Sequence, residues 1–313
     1  MNLLICFFYI NIFFVLNFST IRASEFSSDP LSYFRFKNKV LQDRVNIKSM
    51  ALPQSTDIIM AYDFTSSNAQ TGIKSFNGKN LHHLFSKEDV RHNPYQTVTK
   101  LLIGNLVPDE QDREFKVLGF GDERSIGDIN GVSLVSSAKK PAIGLYGVLK
   151  AYRSYRKSCY MSGPTSFSGP IRIASQQAIK NRRHTLLIIL TDGALSSGIA
   201  QRETIESLAS ASKTPLSILI IGVGDGTERE RTGLFPGLQR FKEIKALQDS
   251  HDAFRLRIKN NLKFDNVNFI NANDYIGGVF AEQEPKERLE KFLKSCVKKI
   301  DIQKEYMKQN GLI

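Results

Sequence analysis

Cysteine is scarce in this chain, with three residues in 313, at positions 6, 159 and 296. That excludes a disulfide-stapled scaffold and every four-cysteine zinc module. Acidic side chains fall short of basic ones, 31 against 43, leaving a formal charge of +12. The excess admits acidic proteins, nucleic acid or lipid headgroups as partners but names none of them. The G-x-S-x-G elbow is missing, and Ser162 and Ser166 have no evident histidine partner, so nucleophilic hydrolysis is not supported. His82, His83 and His92 lack an H-E-x-x-H frame and a nearby cysteine, which argues against zinc. Gly222-Val-Gly224-Asp-Gly226 mimics a dinucleotide turn, but as G-x-G-x-G, and late in the chain. There is no internal repeat and no low-complexity tract. What is present is ordinary for a folded protein: 41% hydrophobic and 24% charged residues, over a length sufficient for one large domain or two small ones.

The one long apolar run, Leu3–Phe18, is broken only by Asn11 and Asn17 and is followed by small and polar residues. It reads as the apolar region of a signal peptide cut after Ala23 or Ser24, with an uncleaved signal anchor as the alternative and an internal helix as a third reading. The expected destination is the secretory pathway, secreted or lumenal, and membrane-anchored if the segment stays. Cleavage after Ala23 removes one charge, Arg22, and takes the formal total from +12 to +11. It also removes Cys6, leaving Cys159 and Cys296 to pair or to remain buried thiols, and no N-x-S/T sequon remains in the mature chain.

Residues 24–50 are polar and basic and form an arm or first helix. Beyond them short apolar runs, Asp57–Tyr62, Phe115–Phe120, Leu186–Leu190, Leu216–Val223 and the shorter Val267–Ile270, read as buried strands. Tyr95–Leu106, Ile143–Arg156, Ile171–Arg183 and Thr204–Ser212 have helical spacing. Continuous apolar strands alternating with helices predict an α/β fold, a doubly wound and mostly parallel sheet with helices on both faces, whose ligands sit beyond the carboxyl ends of the strands. The main domain is expected over 51–282. Within it, 225–263 is a polar insertion with nine Lys/Arg against six Asp/Glu, ending in Arg255, Arg257, Lys259 and Lys263. It reads as a solvated face, or more sharply as an anion-binding patch, and lacks the aromatic interleaving that nucleic-acid binding needs. Over 283–313, Leu289, Phe292, Leu293, Cys296, Val297 and Ile300 make one apolar helix stripe, suited to docking on the sheet.

The chemistry gathers at strand ends. The first strand runs into Asp63-Phe-Thr65-Ser-Ser67-Asn68; Ser162-Gly-Pro-Thr165 offers another hydroxyl; the strand Leu186–Leu190 ends in Thr191-Asp192-Gly193. If these strands are neighbours, two carboxylates and three hydroxyls converge. Such a set is too poor in charge for a protein cage around calcium and suits Mg²⁺, which keeps waters and needs only one or two carboxylates. Strand-end Asp, Ser and Thr also serve as plain helix caps, so the ordered set carries the reading and no single residue does.

Asp63, Thr65, Ser67, Thr165 and Asp192 match one by one the metal-ion-dependent adhesion site of the von Willebrand factor A domain, D-x-S/T-x-S followed by a distant Thr and a distant Asp-Gly. The chain resembles most the copine-type A domain shared by copines and plant RING-domain ubiquitin ligases. The matching stretches are DFTSSN at 63, TGIKSFNGKN at 71, Asn93-Pro94-Tyr95, GFGD at 119, GVLKAY at 147, SGPTSF at 162, LTDG at 190, PLSILIIGVG at 215 and KFDNVNFI at 263. The chain has no room for the C2 domains of copines, and after residue 282 it offers Cys296 alone where a RING needs about eight Cys/His ligands.

The resemblance implies a non-enzymatic, metal-dependent binding domain. Asp63, Thr65, Ser67 and Thr165 would supply or position ligands for Mg²⁺ (Mn²⁺ or Ca²⁺ as substitutes), and Asp192 would hold a coordinated water or the metal. A partner protein's exposed Asp or Glu would complete the sphere. The alternatives are an adaptor or subunit in ubiquitin transfer, by analogy with the RING-bearing relatives, and a peripheral binder of anionic membranes.

Overall fold

The computed structural model describes residues 50–73, 75–86, 91–107, 112–136, 140–193, 195–196, 198–224, 266–276 and 286–313. The apolar N-terminal run, the arm up to residue 49 and the insertion 225–263 lie outside the described residues. The order is β1 (Asp57–Asp63), a 3-10 turn (Ser66–Ala69), α1 (Pro94–Leu106), β2 (Glu114–Phe120), α2 (Glu123–Ile126), β3 (Ser133–Leu134), β4 (Ala142–Ile143), α3 (Gly144–Arg156), α4 (Ser168–Asn181), β5 (Thr185–Thr191), α5 (Ile199–Ala211), β6 (Leu216–Gly222), β7 (Val267–Asn271) and α6 (Lys286–Gln309). Every strand and helix expected from the apolar pattern is present to within a few residues. The pairs β3 and β4 were not foreseen, because two-residue strands are too short to show a period.

The strands run β3-β2-β1-β5-β6-β7, with β4 also pairing with β2. All pairs from β2 to β7 are parallel, while β3 and β4 run antiparallel to β2. The fold is the doubly wound α/β sheet that the alternation predicts. Successive strand residues face opposite sides. Ile58, Met60 and Tyr62 join the core with α1, α3 and α6, whereas Ile59 and Ala61 join the core with α4 and α5. From β1 the chain builds outward to β2 on one side and, later, to β5 on the other. The order reverses between β1 and β5, the switch point at which open α/β sheets form a ligand crevice beyond the carboxyl ends of the strands.

Helix ends follow from local chemistry. Asn93 caps α1, its side chain accepting from the Gln96 amide at 2.9 Å while Gln96 reaches back to the Asn93 amide, and Pro94 fills the first helical position. Helix α6 buries Leu289, Phe292, Leu293, Cys296, Val297 and Ile300, the stripe read from the sequence. The Asn268 amide donates to the Ser295 carbonyl at 2.9 Å and ties that helix to β7. Cys159 and Cys296 are both free and buried, so the alternative of a pair falls away. Among the described residues no helix is long and apolar enough to cross a membrane.

At the opposite edge, His184 sits between the Thr56 hydroxyl, 3.1 Å from Nδ1, and the Ser217 hydroxyl, 3.0 Å from Nε2. Burial, aided by the charge of Lys304, holds its imidazole down at about 3. The unfolded chain takes up this proton below about 6.5 and the folded protein does not, so stability falls as pH drops from 6.5 towards 3. By pH 5 this residue alone costs about 2 kcal/mol. Urea midpoints measured at pH 7 and pH 5 should converge in His184→Gln relative to the parent. Phe292→Ala, which empties a fully buried site on α6, should cost about 3–5 kcal/mol in the same assay.

Candidate metal centre

Asp63 is the last residue of β1 and Asp192 follows the last residue of β5, so parallel pairing sets them side by side at the crevice. Both are buried. Asp63 Oδ1 accepts from the Thr65 amide at 2.9 Å and the Thr65 hydroxyl at 2.7 Å, and Oδ2 accepts from the Thr191 hydroxyl at 2.5 Å. On the other carboxylate, Oδ1 accepts from Ser67 Oγ at 3.0 Å and Oδ2 from Thr71 Oγ1 at 2.7 Å. Burial and then the charge of Asp192 push the Asp63 carboxyl up to about 7, against the pull of the Thr191 and Thr65 hydrogen bonds.

One contact in this set is short of a hydrogen. Thr65 Oγ1 and Ser67 Oγ lie 3.0 Å apart. With both carboxylates ionised, the Thr65 hydrogen goes to Asp63 and the Ser67 hydrogen to Asp192. Each hydroxyl has one hydrogen to give, so lone pairs of the two oxygens are left facing each other between two carboxylates. A cation relieves this arrangement. The donors are all hard oxygens, two charged and the rest neutral, which is the chemistry Mg²⁺ selects. Among the described residues no group of three or more His, Cys, Asp or Glu side chains could hold a metal, so any cation here rests on the carboxylate pair and its hydroxyls.

The loop carrying Thr65 and Ser67 is fixed from below. Asn68 Nδ2 donates to the carbonyls of Asp63 and Thr65 at 3.2 and 3.1 Å, and its Oδ1 accepts from the Tyr95 hydroxyl at 2.7 Å. His82 Nε2 lies 2.7 Å from the Asp63 carbonyl and Nδ1 2.6 Å from the Tyr152 hydroxyl. A carbonyl only accepts, so Nε2 carries the hydrogen and Nδ1 receives one from Tyr152. Burial holds this ring neutral, down at about 3. The imidazole stacks between Tyr95, 4.1 Å away, and Phe64, 4.6 Å away. Both ring nitrogens are engaged, which accounts for His82 without zinc.

Two glycines let the loops close. Gly121 has φ +75° and a Cβ there would lie 2.2 Å from Thr65 Cγ2. Gly224 has φ +88° and a Cβ there would meet the Thr71 carbonyl at 2.8 Å, so the second glycine of the G-x-G sequence serves close packing on the loop that carries Thr71. The segment with Thr165 is drawn in by backbone bonds. Ser66 N donates to the Ser162 carbonyl at 2.7 Å, and Thr165 exchanges bonds with Ser196 at 2.9 and 3.0 Å, next to the cis Gly163–Pro164 peptide.

Asp63, Thr65, Ser67 and Asp192 therefore come together as a hydrogen-bonded set. Thr165 reaches the same loops, but its hydroxyl is outside that set among the described residues. Arg255, Arg257, Lys259 and Lys263 lie outside the described residues. Sequence reasoning gave no role to Thr71 or Thr191, each of which bonds a carboxylate oxygen directly. For Thr191 the structure supplies the reason: the register pairs Tyr62 with Leu190, so the next residues, Asp63 and Thr191, are neighbours. Large apolar side chains stand exposed on the segments that follow the strand ends or flank the Thr165 loop: Ile73 after the 3-10 turn, Ile126 at the end of α2, Ile129 after it, Tyr160 before the Thr165 loop, and Ile199 at the start of α5.

A family model described as Copine matches residues 80–313. Copine family protein 1 of Caenorhabditis elegans is 33% identical over 173 residues, 55% of this chain and 15% of that protein. The E3 ubiquitin-protein ligase RGLG1 of Arabidopsis thaliana is 32% identical over 183 residues, 55% of this chain and 36% of that one. The chain thus spans well under half the length of these relatives. Among solved structures, a von Willebrand factor type A protein from Catenulispora acidiphila aligns at 12% identity and TM-score 0.39, over 80% of this chain and 42% of that one. The SpRpn10 VWA domain aligns at 12% identity and TM-score 0.37, over 69% and 87%. The expected secretory destination is corrected by these matches: copine and RGLG relatives are intracellular proteins.

Because the two carboxylates repel across a buried site, Asp192→Asn should raise stability in EDTA by about 1 kcal/mol, the usual sign for relief of a strained functional site. Chemical denaturation of parent and variant in EDTA measures it, and a less stable variant would mean that the hydroxyl bonds outweigh the repulsion.

Proposed function

The chain belongs to the copine family, and we propose that its A domain is a non-enzymatic module that binds a partner protein through a divalent cation, Mg²⁺ first among candidates. The observation that carries this reading is the pair of buried carboxylates joined through the hydroxyls of Thr65 and Ser67, whose oxygens lie 3.0 Å apart. Asp63, Thr65, Ser67, Thr165 and Asp192 are the residues that would hold or position the ion. Thr71 and Thr191 orient the carboxylates by direct hydrogen bonds. When bound, the cation supplies a Lewis-acidic position for a carboxylate of the partner. Exposed Ile73, Tyr160 and Ile199 give the partner apolar contacts around that charge.

The family match and the fold support the module reading. The similarity to RGLG1 and to RGLG3, 33% identical over 184 residues, favours a second reading, an adaptor in ubiquitin transfer. Both readings use the same crevice for a protein partner. They differ in what that partner is.

A melt of the full chain with Mg²⁺, Mn²⁺, Ca²⁺ or EDTA tests the metal. An ion that binds only the folded state at roughly 100 times its Kd adds about 2.7 kcal/mol. That rise should vanish in Asp63→Ala. Partner capture should then be lost both in EDTA and in Asp63→Ala, and capture that survives both sinks the proposal.

A further inference from the structure

The far end of the sheet holds a second concave site. A cleft of ≈ 640 Å³ opens between α4 and the amino-terminal half of β2, while α4 packs on β1, β5 and the Leu118–Phe120 end of β2. Alternation along β2 puts Lys116 on the same side as Leu118 and Phe120, which are core residues. A lysine at an inward-facing strand position calls for a reason. Facing it is one stripe of α4: Ile173, Gln176, Gln177 and Lys180, at spacings i, i+3, i+4 and i+7, all lining the cleft. Leu134 of β3, half exposed, closes the side.

The charges in the cleft are unbalanced in a particular way. Asp57 is already taken up by Arg183, at 3.1 Å, and by the Asn181 amide, at 2.5 Å. Glu114 stands exposed at the mouth. Lys116 and Lys180 form no ion pair among the described residues. Burial, and then the charge of Lys180, holds the Lys116 ammonium below the ordinary lysine range. Lys116, half-buried, and Lys180, exposed, line the same cleft; the repulsion between them outweighs the attraction of Asp57, an anion between them would relieve it, and lysine is a common partner for phosphate. The cleft volume falls in the range of small-molecule sites.

We propose that this cleft binds an organic phosphate monoester, with its phosphate between Lys116 and Lys180 and its apolar part on Ile173 and Leu134. The amide of Gln176 lines the same cleft, while that of Gln177 donates to Asp57 Oδ2 at 3.5 Å. The site lies at the amino ends of the strands, away from the carboxylate crevice, and does not depend on it. A purely structural role for Lys116 would be to discourage edge-to-edge pairing of short strands; that role predicts no ligand.

Phenyl phosphate titrated into the full chain, followed by calorimetry or NMR, supplies the test, with Lys116→Gln, Lys180→Gln and Asp63→Ala alongside. Saturable binding is expected, weakened at least about tenfold by either lysine substitution and unchanged by Asp63→Ala. Lys180 is exposed at the rim of the cleft, so Lys180→Gln keeps the test open if Lys116→Gln misfolds. Phosphatidylcholine vesicles with and without phosphatidic acid separate the sources of the phosphate. Phosphatidic-acid-dependent binding that Lys180→Gln weakens assigns a lipid headgroup, and binding of phenyl phosphate alone assigns a soluble ester. No saturable binding to either probe, or binding that Lys180→Gln leaves intact, overturns the site.

Discussion

Two carboxylates buried side by side are the constraint around which the upper edge of this sheet is organised. An ionised carboxylate taken out of water is unfavourable, and a second one beside it is more so. The chain offsets this locally with five hydrogen bonds from Thr65, Ser67, Thr71 and Thr191. It also fixes the backbone that carries them. Asn68, His82, Tyr95, Tyr152 and Asn93 form one continuous buried polar network beneath the loop. Such a network is stabilising only when its members are satisfied together. The like-charge pair therefore explains why so many polar side chains are buried beside the carboxyl ends of β1 and β5.

The network also explains how a loop of hydroxyls can be rigid. His82 is neutral, stacked between two aromatic rings and bonded at both nitrogens. It works as a backbone prop for the Asp63 carbonyl. Parallel β1–β5 pairing then sets the distance between the carboxylates, and the glycine contacts at Gly121 and Gly224 bring the neighbouring loops up to them. Long-range pairing, local turns and side-chain bonds all converge on a few atoms.

Much of this was legible in the sequence, and unevenly. Runs such as Leu216–Val223 announce a strand buried on both faces, and the α6 stripe from Leu289 to Ile300 announces a docked helix, because burial imposes a period. The order Asp63, Thr65, Ser67, Thr165, Asp192 was readable as a resemblance, and four of those five come together as one bonded set. Thr71 stayed silent because a threonine eight residues past a strand end looks like any loop residue until the 3-10 turn folds it back. His82 is set aside as a zinc ligand for want of a motif, and its actual partners, a backbone carbonyl and a tyrosine 70 residues away, leave no local pattern that would name its role. Lys116 hides in the same way: a single charge in an apolar run reads as a strand end until the alternation is placed on a face. The apolar leader suggested a compartment that the relatives do not share, since hydrophobicity alone specifies insertion chemistry and not biological setting.

The contact between Gly121 and Thr65 carries a genetic consequence. Any side chain at 121 must displace the Thr65 methyl and adopt a backbone conformation that residues other than glycine rarely take. Damage from such a change falls on the hydroxyl that spans Asp63 and Ser67, while the aliphatic layers on either side of the sheet remain intact. Inherited or selected variants that silence this domain without lowering its abundance are therefore to be sought among the glycines that frame the crevice as much as among its oxygen donors.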